Sequence, residues 1–312
     1  MTLPNFFIIG AAKSGTTSLY YYLKEHPQIY MSPMKEPEFF SFLGQKVDRK
    51  DGRQAPGIYA LSDWKEYEAL FSGVKDEKII GEASPSYIYV PEVPLRIRQY
   101  ISDPKFIAIL RDPAERAYSH FNMRLNKLSH KVGEPITNFA EVLKAEDQRI
   151  KDGWACGWHY KKRGFYYEQL KRYYELFGRN RIRVFLYEDL RSDPPKVLQE
   201  IFRFLGVDES FVPDFEKVHN KGRYQTTVKS KLWNDILRKE SPIKTALKPF
   251  MSKEKRRRLK KYFIEKNTVT GSNELAGLDP EIRRQLVEEY RPDILKLQDL
   301  IGRDLSAWLK TA

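Results

Sequence analysis

Residues 5–17, Asn-Phe-Phe-Ile-Ile-Gly-Ala-Ala-Lys-Ser-Gly-Thr-Thr, constrain the fold more than any other stretch of the chain. The apolar run is too short for a buried helix and is closed by Gly10, so it reads as a strand buried on both faces. From Thr16 the segment Thr-Thr-Ser-Leu-Tyr-Tyr-Tyr-Leu-Lys-Glu-His places Leu19 and Leu23 four apart, and its threonines suit a first helical turn. Between strand and helix lies Gly10-x-x-x-x-Gly15 followed by two hydroxyl residues. Glycines there let backbone N–H groups turn inward and a helix N-terminus favours negative charge, so the arrangement is a phosphate cradle. It departs from an NTPase loop at one position. Where the Walker A pattern requires lysine after the second glycine, this chain has Thr16, and its lysine is Lys13 inside the loop.

Further strands are expected at Lys78–Gly81, Lys105–Leu110 and Ile182–Tyr187, separated by helical patterns at 114–126, 164–177 and 194–205. Such alternation predicts an α/β fold: a P-loop-like parallel sheet with helices on both faces, one domain spanning 1–312. Residues 44–57 and 127–135 read as surface loops, and 219–230 as a polar, basic stretch without apolar period. C-terminal helices are expected over 280–310, one from Pro280 carrying Ile282, Leu286 and Tyr290, and another from Asp293 to Leu309.

With 41% hydrophobic residues the chain has material for a core, which excludes disorder. The 55 basic against 42 acidic side chains leave +13 and imply an anionic partner without choosing among nucleotide, acidic glycan, nucleic acid and membrane surface. Cys156, the single cysteine, cannot form an internal disulfide. The N-terminus lacks the basic region and cleavage-like tail of a signal peptide, and no stretch is apolar enough to span a bilayer, so a cytoplasmic protein is expected.

The run Lys13-Ser14-Gly15-Thr16-Thr17-Ser18-Leu19 resembles the 5′-phosphosulfate-binding loop of sulfotransferases that use 3′-phosphoadenosine 5′-phosphosulfate (PAPS). A second motif, Phe106-Ile-Ala-Ile-Leu-Arg111-Asp-Pro-Ala-Glu-Arg-Ala-Tyr-Ser119, resembles the 3′-phosphate-binding motif of the same family, with Arg111 and Ser119 at its two positions. A strand ending at Arg111 and a helix opening at Pro113 set the serine about 9 Å along that helix from the proline. The guanidinium fork of an arginine matches phosphate oxygens. A third segment, Asn220-Lys221-Gly222-Arg223, resembles more loosely the Lys-Gly loop that closes over the cofactor, which makes Lys221, Gly222 and Arg223 candidates. The phosphosulfate loop is thus assigned to 10–18, the 3′-phosphate motif to 106–119 and the covering loop to 219–230.

Sulfuryl transfer needs a group to take the acceptor's proton and another to stabilise charge on the departing phosphate. Lys13 suits the second role. For the first, Lys35-Glu36-Pro37-Glu38-Phe39-Phe40 resembles the Glu-x-x-Phe-Phe segment of heparan-sulfate-type sulfotransferases, whose glutamate acts as base; the matching residue is Glu36. Glu38 stands where a histidine is often found, which leaves two carboxylates to compete for the role or to share it. Gly81-Glu82-Ala83-Ser84-Pro85 resembles a Glu-Lys-Ser-Pro-type segment of the glycan enzymes, with Ala83 in place of the lysine that contacts an anionic sugar chain. The aromatic cluster Trp154–Tyr160 reads equally as an acceptor-pocket lining and as core, and the five histidines show no metal-ligand spacing.

The resemblance implies a PAPS-dependent sulfotransferase with product PAP (3′-phosphoadenosine 5′-phosphate). It implies no metal and an acceptor that is a small metabolite or glycan bearing a hydroxyl, in preference to an amine. No nucleic-acid partner and no membrane span are expected. The alternatives are a degenerate P-loop phosphotransferase and a non-catalytic binder of anionic polymers or nucleic acid.

Overall fold

The computed structural model describes residues 2–45, 60–125, 133–215, 224–228, 268–274 and 277–311. Contacts group the chain into two compact units. The first comprises Met1–Phe121, Pro135–Asn220 and Leu278–Ala312, and the second Asn122–Glu134 and Lys221–Gly277, so the chain of the first is interrupted twice.

The first unit holds a five-stranded, all-parallel sheet in the order β2 (Ile29–Met31), β3 (Ile79–Ala83), β1 (Phe6–Gly10), β4 (Lys105–Leu110) and β5 (Ile182–Leu186). This is the α/β architecture expected from the alternation of patterns. Phe6 pairs with Gly81 on one side and Lys105 on the other, which makes β1 the strand at which the order reverses. In such sheets ligands bind beyond the carboxyl ends of the strands at the reversal.

Alternation along β1 sorts its side chains between two cores. Phe6 and Ile8 join Leu19, Tyr20 and Leu23 of α1 (Thr16–Glu25) and Leu198, Ile201 and Phe202 of α9 (Pro194–Leu205). Phe7 stacks on Phe106 with ring centroids 5.7 Å apart and meets Phe40 edge-on. Phe40 belongs to α2 (Phe39–Phe42), and its neighbour Phe39 stacks at 4.0 Å on Tyr67 of α3 (Trp64–Glu68). Each large side chain fully buried in this way contributes about 1.5–3 kcal/mol, so the strand is fixed from both faces. A Cβ at Gly81 would fall 2.6 Å from Phe6 Cδ1, which is why only glycine fits where β3 passes Phe6.

The remaining helices of this unit are α4 (Val93–Tyr100), α5 (Pro113–Leu125, whose last residues fall in the second unit), α6 (Phe139–Lys151), α7 (Tyr166–Phe177), α8 (Tyr187–Ser192) and α10 (Pro280–Ile301). Where the sequence suggests two C-terminal helices, α10 runs unbroken through Pro292 and is followed by a 3₁₀ turn at Ser306–Leu309. Proline forfeits one hydrogen bond there, while Leu286, Tyr290, Ile294 and Leu297 form one buried stripe that carries the helix across it.

The second unit contains a two-stranded antiparallel ribbon, β6 (Tyr224–Val228) with β7 (Thr268–Glu274). Part of the polar stretch read as a loop over 219–230 is therefore a strand, held by cross-strand pairing that has no local hydrophobic signature.

Candidate active site

The loop from β1 to α1 is shaped by residues in the left-handed backbone region, Gly15 with φ 89° and Lys13 with φ 74°. A Cβ at Gly15 would come 3.1 Å from Leu190 Cδ2 and 3.2 Å from Tyr187 Cδ2, so conformation and crowding both require glycine. Helix α1 opens with no side-chain cap and no acidic residue in its first turn, which suits an anion at that end. Ser14 is fully buried and its Oγ has no hydrogen-bond partner. A hydroxyl left in that state costs about 1–3 kcal/mol, and an anion seated in the loop would satisfy it. The residues present therefore fit a bound phosphosulfate. Thr16 lies buried at the helix start, with Thr17 and Ser18 half-buried beside it.

Lys13 is half-buried at the loop's apex, and its carbonyl accepts a long 3.4 Å bond from the Arg111 guanidinium. Burial, and then the charge of Arg111, pulls the lysine down to about 8, while the Glu36 carboxylate pushes the other way. Lys13, Arg111 and Glu36 are thus brought within electrostatic reach of one another from three separate segments.

Arg111 ends up at this edge because of how α5 begins. Asp112 Oδ1 accepts from the N–H groups of Ala114 (2.9 Å) and Glu115 (3.1 Å), and Pro113 occupies a position that needs no N–H. The Arg111 guanidinium lies 4.9 Å over the Tyr187 ring and donates to Glu115 at 3.3 Å. Together with Glu115, Tyr187, Glu188, Arg191 and Ser192 it lines a cavity of about 460 Å³. Ser119 is half-buried two turns further along α5 and is not among the residues lining that cavity. Lys221, Gly222 and Arg223 lie outside the described residues.

The two competing glutamates prove to have different surroundings. The chain leaves β2 through a turn in which Glu36 (φ 61°) and Glu38 (φ 54°) are both left-handed. Glu36 N–H donates to the Ala83 carbonyl at 2.9 Å and Glu38 N–H to Ser84 Oγ at 3.1 Å, which lays the turn along the end of β3. The Glu36 side chain is 49% exposed and pairs with Lys35. Glu38 is buried, and its Oε2 accepts from Ser86 and from Ser41 (3.0 Å). Burial raises the proton affinity of Glu38 above the usual carboxylate range. Nearby Glu82 is fully buried and is pushed up to about 8, first by that burial and then by the charge of Glu38, against the opposing pull of the Tyr87 and Tyr67 hydroxyls.

The Trp154–Tyr160 segment is partly buried over 154–157 and buried over 158–160. Trp158 and Tyr160 are buried, Trp154 meets Trp158 edge-on at 5.3 Å, and the Arg149 guanidinium covers both indoles. His159 bonds to Tyr89 Oη at 2.8 Å and to the Trp154 carbonyl, and burial lowers it to about 4. One participant was missed. The sequence extends β5 through Tyr187, whereas the strand stops at Leu186 and Tyr187 opens α8 with its ring beneath Arg111. The signal was available, since an aromatic at a strand's carboxyl end falls on the binding edge of a parallel sheet.

Fold and site together define an α/β protein with a glycine-shaped loop and an uncapped helix start at the reversal point of its sheet. The sequence model of the sulfotransferase domain matches residues 3–270, and the chain belongs to that family. The crystal structure of a sulfotransferase from Alicyclobacillus acidocaldarius superposes with a TM-score of 0.74, at 31% identity, covering 99% of this chain and 100% of that one. The membrane-associated sulfotransferase kil1 of Dictyostelium discoideum is 34% identical over 48% of this chain. The bifunctional heparan sulfate N-deacetylase/N-sulfotransferase 4 of Mus musculus is 30% identical over 66% of it. These matches span only 29% and 22% of the two relatives' own lengths. Among the described residues no helix is long and apolar enough to cross a membrane.

Proposed function

We propose that this chain transfers the sulfuryl group of PAPS to a hydroxyl of a small metabolite or glycan, with Glu36 as general base. The observation that carries the reading is the meeting of a buried, unsatisfied loop hydroxyl, Ser14, with a cation of lowered proton affinity, Lys13, and an accessible carboxylate, Glu36. When bound, PAPS supplies the sulfuryl group and an anionic leaving phosphate.

The chain's own residues then divide the work. Ser14, Thr16, Thr17, Ser18 and the loop N–H groups around Gly15 hold phosphate oxygens. Lys13 places its ammonium where charge accumulates on the leaving oxygen, a contribution that grows in a half-buried site. Arg111 and Ser119 hold the 3′-phosphate; for Lys221, Gly222 and Arg223, which lie outside the described residues, a role in binding the cofactor rests on the sequence resemblance alone. Glu36 accepts the acceptor's proton on its carboxylate. Glu38 does not serve, because its buried carboxyl favours the protonated form and is committed to Ser41 and Ser86. Lys13 and the loop meet the developing charge, so this chemistry calls for no metal ion. We place the reaction in the cytoplasm, in keeping with the lone thiol of Cys156. Ala83 is fully buried where the glycan enzymes resembled here carry a lysine, which supports an acceptor that is not strongly anionic.

The test is transfer of radiolabelled sulfate from PAPS to a panel of polysaccharides, phenols, alkyl alcohols and amines, with PAP binding measured alongside. Label in an alcohol or glycan supports the reading. A protein that neither transfers label nor binds PAP contradicts it.

A further inference from the structure

Arg111 does not stand alone: its salt bridge to Glu115 continues to the C-terminal helix. Glu115 Oε2 accepts from Arg111 at 3.3 Å, and Glu115 Oε1 lies 3.6 Å from Arg283 of α10. The same Arg283 guanidinium reaches Asp112 Oδ2 at 2.7 Å, and its Nε donates to the Lys310 carbonyl at 3.1 Å. The Arg283 side chain is 16% exposed, and that of Asp112 9%. Asp112 in turn caps α5 through its other oxygen. One arginine, nearly 170 residues away in sequence, therefore grips both carboxylates that flank the start of α5.

Glu115 is a natural competitor of a phosphate. A carboxylate at i+4 from an arginine can engage its fork in the two-point geometry that a phosphate also seeks. In this structure the contact is single and long, and the second Glu115 oxygen is turned to Arg283. Sharing Glu115 between two guanidiniums weakens its hold on either one.

We propose that Arg283 is a positioning residue for the 3′-phosphate: it draws Glu115 away from Arg111 and so keeps the Arg111 fork available to the cofactor. This rests on the reading of Arg111 as the 3′-phosphate ligand. Two consequences separate it from a merely structural tie. Loss of Arg283 weakens ligands that carry a 3′-phosphate and spares those that lack one. Removing the Glu115 charge as well reverses the loss.

The experiment is calorimetric titration of the full chain with PAP and with adenosine 5′-phosphate, for the wild type, Arg283→Gln, Glu115→Gln and the double variant. Arg283→Gln is expected to weaken PAP by roughly 5- to 20-fold and to leave adenosine 5′-phosphate unchanged. At saturating PAPS its kcat stays that of the wild type. The double variant is expected to recover most of the PAP affinity. Glu115→Gln alone, at a site 40% exposed and tolerant of exchange, is expected to bind PAP as tightly as the wild type or a few-fold tighter, which keeps the test open if Arg283→Gln does not fold. Equal losses for both ligands, failure of Glu115→Gln to rescue, or weaker PAP binding by Glu115→Gln overturns the proposal. If the wild type itself binds the two ligands equally, or Arg111→Gln binds PAP as the wild type does, the reading of Arg111 falls and this inference with it.

Discussion

Two turns, after β1 and after β2, carry the proposed chemistry, and they are held in shape by different means. In the loop after β1, Gly15 shares the left-handed backbone region with Lys13, and the packing of Leu190 and Tyr187 excludes a Cβ at the glycine. In the turn after β2, two glutamates take that backbone region, at about 1–2 kcal/mol each. That turn is held by tertiary anchors: Ala83 and Ser84 on its backbone, and Ser41 and Ser86 on the Glu38 carboxyl. Arg96 adds bonds to the Phe40 and Ser41 carbonyls at 2.7 and 3.0 Å. A turn shaped by glycine announces itself locally, whereas a turn shaped by its neighbours becomes visible only when those neighbours are in place.

Breaking each turn in its own way should give unlike results. Lys13→Ala is expected to lower kcat by about 10²- to 10³-fold at saturating PAPS, as expected when a transition-state charge partner is removed. Steady-state label transfer measures it. Glu38→Ala acts on the other turn as a stability change, taking from the Ser41 and Ser86 hydroxyls the buried carboxyl they bond. Thermal melts should show a loss of about 2 kcal/mol, a few degrees in Tm for a chain of this size.

Glu82 sharpens the same point. Its folded-state affinity for a proton, raised to about 8 from the ordinary 4.5 of a glutamate, means that the native state keeps a proton the unfolded chain has lost between those values. Stability therefore falls as pH rises through that window, at up to about 1.4 kcal/mol per pH unit from this group, and levels off above it. Glu82→Gln should flatten the melting temperature between pH 5 and 8 relative to the wild type. The smallest effect links the two turns. The free-enzyme profile of kcat/KM for PAPS should decline as pH rises through about 8, where Lys13 loses its proton, and Glu36→Gln should move that limb to lower pH by removing the carboxylate that favours the charged lysine.

Much of this architecture was legible in the sequence because it is written locally. Strands β1 and β4, with five of five and five of six residues buried, are short apolar runs, and the Gly10–Thr17 spacing names its own backbone. The start of α5 was equally readable from Arg111-Asp-Pro. What escaped depends on partners far along the chain. The difference between Glu36 and Glu38 is one of burial against Ser86. The continuity of α10 past Pro292 comes from a stripe packed on the core. The role of Tyr187 depended on where β5 ends, and the strand at 224–228 on a partner at 268–274.

The central claim is that Glu36, and not Glu38, takes the acceptor's proton. It is tested most directly by single-turnover transfer of labelled sulfate from PAPS by the wild type, Glu36→Gln and Glu38→Gln, each with PAP affinity measured by calorimetry. The account predicts wild-type PAP binding by both variants, a rate about 10²- to 10⁴-fold lower for Glu36→Gln, and near wild-type transfer by folded Glu38→Gln. Wild-type transfer by Glu36→Gln, with the rate lost instead in Glu38→Gln, would contradict it.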